Sequence, residues 1–239
     1  MGLRLKLRLR LRLRIKNLMK KILLTILFGM LAISCTAKTF VYNKTVGKER
    51  SKIAWQETKP NSLTIEIVLD NSSKNEYHKI FCSNTYNINS FLFLNKNNGT
   101  EVLFKKQDGC IQATGLLRHK KFLKLYKTKN IPWYQCHELA LAWFVRLGDP
   151  EIAFFSIRPD NCELYEFIAR RDGEEQIKIG SKEIKVVRIK TSLTGMFANM
   201  WTGYYWFRKS DGVCVKYKAV EGFPGTPETV EELTEIADK

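Results

Sequence analysis

The sequence predicts a mainly β protein, an antiparallel curved sheet or open half-barrel with one packed amphipathic α-helix. Three observations lead there. Apolar and polar residues alternate with period 2 along most of the chain after residue 60, and short Asn-, Asp- and Gly-rich connections separate the alternating runs. One stretch, residues 133–147, switches to helical spacing.

The elements follow in order. Residues 63–69 place Leu63, Ile65, Ile67 and Leu69 on one face and end at Asp70-Asn71-Ser72-Ser73, a turn signal. Residues 77–82 pair with them as a hairpin. Further strands are expected at 88–94, 101–106, 110–116 and 121–127, separated by Asn97-Asn98-Gly99 and Asp108-Gly109. Connections this short make neighbours antiparallel. Leu139, Trp143, Phe144 and Leu147 then define a helical face that Gly148-Asp149-Pro150 stops. Strands resume at 153–158, 164–170, 177–179 and 184–191, with Arg171-Asp172-Gly173 as a turn. A last hairpin, 201–208 and 213–220, joins at Lys209-Ser210-Asp211-Gly212. Many antiparallel strands with one helix suit a curved sheet or open barrel.

The N-terminus carries an address. Lys20-Lys21, an apolar run over residues 22–33, small Ser34 and then Cys35 follow the charged, apolar, small order of a cleaved export signal. The run is too short to cross the roughly 30 Å hydrocarbon core comfortably, which disfavours a permanent span. Leu31-Ala32-Ile33-Ser34-Cys35 resembles the recognition box of bacterial lipoproteins, although Ala32 stands where Leu is usual. Cys35 is therefore the expected lipidation site, carrying diacylglycerol and an N-acyl chain such as palmitate. Buried methylenes at roughly 0.8 kcal/mol each make such an anchor stable. Ahead of the signal, residues 2–14 alternate strictly between apolar and cationic side chains, as a short nucleotide repeat would encode, and Met19 is the expected start. The expected organisation is 1–34 extension and signal, 35–52 lipidated end and short tether, and 53–239 a single β-rich domain.

Charge looks like a nucleic-acid signal until it is divided by region. The formal charge is +16, yet residues 1–34 hold nine of the forty Lys and Arg and no acid, leaving 31 basic and 24 acidic residues, a net of +7. No nucleic-acid partner is expected. The membrane, through the lipid anchor, is. Cys82, Cys110, Cys136, Cys162 and Cys214 are widely and irregularly spaced, with no Cys-x-x-Cys and no neighbouring His pair, so no metal site is expected and no disulfide pairing is selected.

Three stretches are distinctive together: Ile131-Pro132-Trp133 entering the helix, Phe154-Phe155-Ser156-Ile157-Arg158-Pro159, and residues 201–227 with Tyr205-Trp206-Phe207-Arg208 and Asp211-Gly212. In this order they resemble a family of bacterial exported β-proteins and lipoproteins known as a domain of unknown function, over roughly residues 50–235. The resemblance implies a β-rich, half-barrel-like fold, loosely similar to carriers that shuttle lipoproteins between envelope membranes. It implies no catalytic residues and no cofactor.

Alternation puts Trp201, Gly203, Tyr205 and Phe207 on one face and Met200, Thr202, Tyr204, Trp206 and Arg208 on the other, so this strand is expected to be buried on both sides. One side would pack on the helix bearing Trp143. The other would line a concave apolar surface able to hold an acyl chain, giving Trp143, Trp201, Tyr205 and Trp206 as candidate ligand-binding residues. Arg158 joins them as a guanidinium able to clamp a carboxylate or phosphate headgroup, with internal pairing to Asp160, Glu163 or Glu166 as the competing use. Cys136-His137-Glu138 contains the parts of a nucleophilic site. Successive helix residues point about 100° apart, however, and would need partners from elsewhere. The leading expectation is a cell-envelope lipoprotein that binds an apolar or lipidic ligand, its domain facing the periplasm or exterior. The alternative is a structural or interaction lipoprotein with a filled core, and a hydrolase ranks third.

Overall fold

Among the described residues, fourteen strands hydrogen-bond into one antiparallel sheet, and that sheet curls around one α-helix. A computed structural model describes residues 36–61, 63–71, 74–198, 200–220 and 226–238; the export signal and Cys35 lie outside the described residues. The first eight strands are β1 Thr36–Val46, β2 Glu49–Lys59, β3 Thr64–Asn71, β4 Glu76–Ser83, β5 Ile88–Asn95, β6 Thr100–Gln107, β7 Cys110–Leu117 and β8 Lys120–Lys127. After helix α1, His137–Leu147, come β9 Glu151–Arg158, β10 Glu163–Ile179, β11 Lys182–Leu193, β12 Thr202–Arg208, β13 Cys214–Val220 and β14 Glu228–Asp238.

Each strand pairs with its sequence neighbour except at one place, where β1 pairs with β14 and joins the two meanders. β8 and β9 are left as the sheet's edges. Side chains of β8 reach instead the turn after β9 and the start of β10: the Tyr126 hydroxyl donates to the Cys162 carbonyl, and Lys124 meets Glu163 at 2.8 Å. The sheet is thus an open barrel. The segment before α1 fills part of the opening, since Tyr134 N donates to Phe155 O at 2.8 Å and Ile88 N donates to Trp133 O at 2.9 Å.

The core lies on the concave face. Phe91 and Phe104 from one meander, Phe154 and Phe207 from the other, and Leu141 and Phe144 from α1 belong to one buried cluster. Residues 36–239 form one compact unit around it, which makes this stretch a self-contained folding unit.

Three sequence expectations change. Residues 36–52 are not a tether but β1 and the start of β2; Phe40, Tyr42, Ile53 and Trp55 are buried while Val41 and Ala54 between them are only half-buried. Residues 171–173 are not a turn but a bulge inside the continuous β10, where the register with β11 shifts between Arg171 and Gly173. Helix α1 starts at His137 instead of Trp133, because extended residues 132–134 hydrogen-bond to β9 and β5. Its other end matches expectation: Gly148 adopts φ 84°, the left-handed conformation in which a glycine carries no steric cost.

Candidate functional site

The concave face, where the sequence predicts a ligand surface, is occupied by α1. Leu139, Ala140, Leu141, Ala142 and Phe144 are buried against the concave face, and Trp143 packs at the margin with the Arg146 guanidinium 6.0 Å from its ring. At the start of the helix His137 is held from both sides, Nδ1 at 3.0 Å from the Tyr205 hydroxyl and Nε2 at 3.1 Å from Ser156 Oγ. Phe154 and Phe167 present ring edges to it. Burial in this aromatic setting lowers the His137 pKa to about 4, so the ring is neutral.

Cys136 and Glu138 do not complete a nucleophilic site with that histidine. The Cys136 thiol points to Glu138 Oε2 at 3.5 Å, whereas His137 turns to Tyr205 and Ser156. Burial pushes both the thiol and the Glu138 carboxyl up. Activation of a nucleophile requires the thiol to go down, so the electrostatics run opposite to those of a catalytic cysteine. All five described cysteines are free thiols, and no group of side chains among the described residues could hold a metal ion.

The five candidate ligand residues are not brought together. Tyr205 faces inward, buried under α1. Trp201 stands edge-on to Phe167 at 5.4 Å and folds over Gly203, where an added Cβ would lie 2.7 Å from its ring. This close approach explains the mid-strand glycine. Trp206 points to the opposite, convex face, and its Nε1 donates to Glu175 Oε1 at 2.7 Å. Arg158, exposed at a strand end, is bound to Asp160 at 2.8 Å. The expectation that strand 201–208 is buried on both sides is met, with the faces assigned differently: α1 covers the concave side, and the distal part of the β10–β11 hairpin covers the convex side.

That ribbon creates a cleft that the sequence reading missed. β11 pairs with β12 only from Val186 onward, so residues 174–185 of the hairpin overhang the sheet. At the bulge, Arg188 Nε binds Asp172 at 2.8 Å and Nη1 binds Glu175 at 3.0 Å, fixing the bend. The overhang lies on the outer face, where Ile177 and Ile184 pack with Trp206, Val215 and Leu233 as a second, smaller core. Beside it opens a cleft of about 660 Å³ with Ile179, Ile184, Val215, Leu233 and Ile236 in its walls. Lys182, Arg208, Glu232 and Glu235 add charge of both signs to its lining. The alternation Ile177, Ile179, Ile184 and Val186 around Gly180-Ser181 was the available signal: an apolar face on a hairpin tip must find something to cover. A smaller cavity of about 180 Å³ lies between β1, β2, α1 and the β12–β13 turn, polar in character through Glu57, Lys59, Tyr86 and Arg146.

No protein-family model and no curated protein matches the chain. Among solved structures it is similar to a β-barrel-like protein of the domain-of-unknown-function family DUF1849 from Brucella abortus, with 10% identity, 85% of this chain and 98% of that one covered, and a TM-score of 0.60. Matches to a DUF1329 family protein from Desulfovibrio piger (10% identity, 88% of each chain, TM-score 0.26) and to a LolA superfamily protein from Nitrosomonas europaea (6% identity, 86% of each chain, TM-score 0.27) superpose poorly. The fold assignment rests on the Brucella protein. The chain shares the fold of that β-barrel-like DUF1849 protein, here as an open fourteen-stranded sheet among the described residues.

Proposed function

We propose that this chain is a cell-envelope lipoprotein, held at a membrane by lipid on Cys35, whose domain binds an acyl chain in the cleft between the β10–β11 ribbon and the outer face of the sheet. The cleft carries the reading. Its volume of about 660 Å³ falls within the roughly 300–1,000 Å³ of ligand sites. Its aliphatic walls suit a hydrocarbon chain, and the Lys182 cation suits an acidic headgroup, Arg208 being held by Asp211. The concave face is the weaker location, because α1 already fills it. β1 begins at Thr36, directly after Cys35, so an anchor there would hold the domain close to the bilayer.

The test uses the chain from Thr36 onward and a dansyl-labelled undecanoic acid as probe. Saturable enhancement of dansyl emission is expected. Ile184→Asp and Leu233→Asp each place a charge in an apolar wall and weaken binding tenfold or more, about 1.4 kcal/mol or above. Arg158→Ala, at a distant strand end, leaves it unchanged. Absence of saturable binding, or binding indifferent to both wall substitutions, rejects the cleft and favours an interaction lipoprotein with a filled core.

A further inference from the structure

The outer face of β5–β8 carries leucines where a solvated sheet face carries polar residues. Along β8, Tyr126 turns into the core while Leu123 and Leu125 point outward, 74% and 59% exposed. Register extends them into a surface. Leu123 lies opposite Thr114, Thr114 opposite Leu103, and Leu103 opposite Leu92, so one row crosses all four strands. Leu116 on β7, 40% exposed, and Leu94 on β5 flank that row across Glu101. Contiguous exposed apolar surface on a β-sheet edge is costly and invites aggregation, so a monomeric domain keeps it only where something covers it.

The charges on the same face indicate what covers it. Lys105, Lys121 and Lys127 are exposed around the leucines, and none of the three is in an ion pair among the described residues. Several other lysines do find acids, among them Lys124 with Glu163, Lys129 with Glu166, Lys209 with Glu174 and Lys218 with Glu228, so what marks this face is three cations grouped around the leucines. Glu101 is the one acid on β5–β8 that shares this outward face. An apolar centre with an unneutralised cationic rim is complementary to lipid headgroups of negative charge over an acyl interior.

We propose that this leucine–lysine face docks onto the surface of an anionic phospholipid bilayer. Placement favours it further. β7 begins and β8 ends at the end of the sheet where β1 begins, so Leu125 and Lys127 on β8 share that end of the fold with the residue following Cys35, while Leu116 and Lys121 lie toward the other. That last argument rests on the lipid anchor proposed above; the leucines and lysines do not. Docking would orient the domain against the membrane instead of leaving it to swing on its anchor.

The experiment uses the unlipidated chain from Thr36 onward, so its outcome is independent of Cys35. Co-sedimentation is measured with vesicles of phosphatidylcholine alone and of phosphatidylcholine mixed with phosphatidylglycerol. Binding to the mixed vesicles, decreasing with added salt, is expected. The Leu123→Ser, Leu125→Ser double variant should lose tenfold or more of the partitioning. The Lys105→Glu, Lys121→Glu, Lys127→Glu triple variant should lose about a hundredfold, each lysine near an anionic surface contributing roughly fivefold. All five positions are exposed, and circular dichroism confirms that the variants stay folded. Equal binding to neutral vesicles overturns the proposal, as does wild-type binding by both variants. A sedimenting dimer that the leucine variant dissociates, with no vesicle binding by the wild type, assigns the face to a second copy of the chain and equally overturns it.

Discussion

Trp206 Nε1 donates to Glu175 Oε1 at 2.7 Å, and Arg188 Nη1 reaches the same oxygen at 3.0 Å. One carboxylate thus ties the overhanging ribbon to the convex face that it covers. Glu175→Ala removes both bonds and leaves the indole N–H facing a largely apolar neighbourhood. The carboxylate is partly exposed, so the expected loss is about 1–2 kcal/mol in denaturant unfolding, below the full value of a buried charged bond. Hydrogen exchange should report the change locally. Amides of residues 177–186 gain exchange in the variant, while those of β4–β6 hold their protection.

His78 is a second target, for the opposite reason. It projects among Trp55, Phe91 and Phe93, with ring centroids 5.1–6.1 Å away, and its Nε2 is buried without a hydrogen-bond partner. Burial lowers its pKa to about 4. A phenylalanine matches the shape and removes the orphaned nitrogen. His78→Phe is expected to raise the unfolding free energy by about 1 kcal/mol, because an unsatisfied buried polar group costs roughly that much or more. A lower midpoint in urea would show that the histidine makes a contact that Phe cannot replace.

These two sites show what the linear chain reveals. Inward positions of β3–β8 were legible because Ile65, Ile67 and Leu69, then Phe91 and Phe93, alternate strongly. β1 and β14 were not. Their pairing depends on each other across nearly the whole chain, and β14 turns Thr229 and Glu231 inward, so its pattern reads as polar. The cleft was hidden for a related reason. Trp206 and the ribbon tip are both visible as apolar residues, but only the bulge at residues 171–173 brings one over the other. Sequence reading took those residues as a turn, since Arg-Asp-Gly has turn chemistry, and a turn there would have dissolved the ribbon.

Thiol chemistry offers an accessible check on the interior. Burial raises Cys82 to about 12 and Cys162 to about 11, and pushes Cys136 and Cys214 well above the ordinary thiol range. Cys110, at the start of β7, is the described cysteine that is not buried in the core or a turn. N-ethylmaleimide at neutral pH should add one label to the native chain from Thr36 onward, on Cys110, and five after unfolding. Rapid native labelling of Cys136 would mean that the start of α1 opens readily, and would return a nucleophilic role to it.

The remaining prediction concerns acid. His78 and His137 each titrate near 4 in the folded chain, against about 6.5 for an unfolded histidine. Between those values the unfolded state binds more protons than the native one, so unfolding free energy must fall as pH drops through that window. Above about 6.5 both states are neutral and these groups contribute no slope. The shifts set a ceiling of about 3 kcal/mol for each histidine. Glu138 acts against them: burial raises its carboxyl pKa, so the native state holds that proton more tightly, and its contribution to stability falls as pH rises through the carboxylate range. The informative quantity is therefore a difference. A His78→Phe, His137→Gln double variant keeps Glu138 and keeps a side chain able to bond Tyr205 or Ser156. Its urea-derived stability should vary less between pH 4 and 6.5 than that of the wild type, by up to about 6 kcal/mol. Identical pH profiles would show that neither imidazole is as dry as its aromatic surroundings make it.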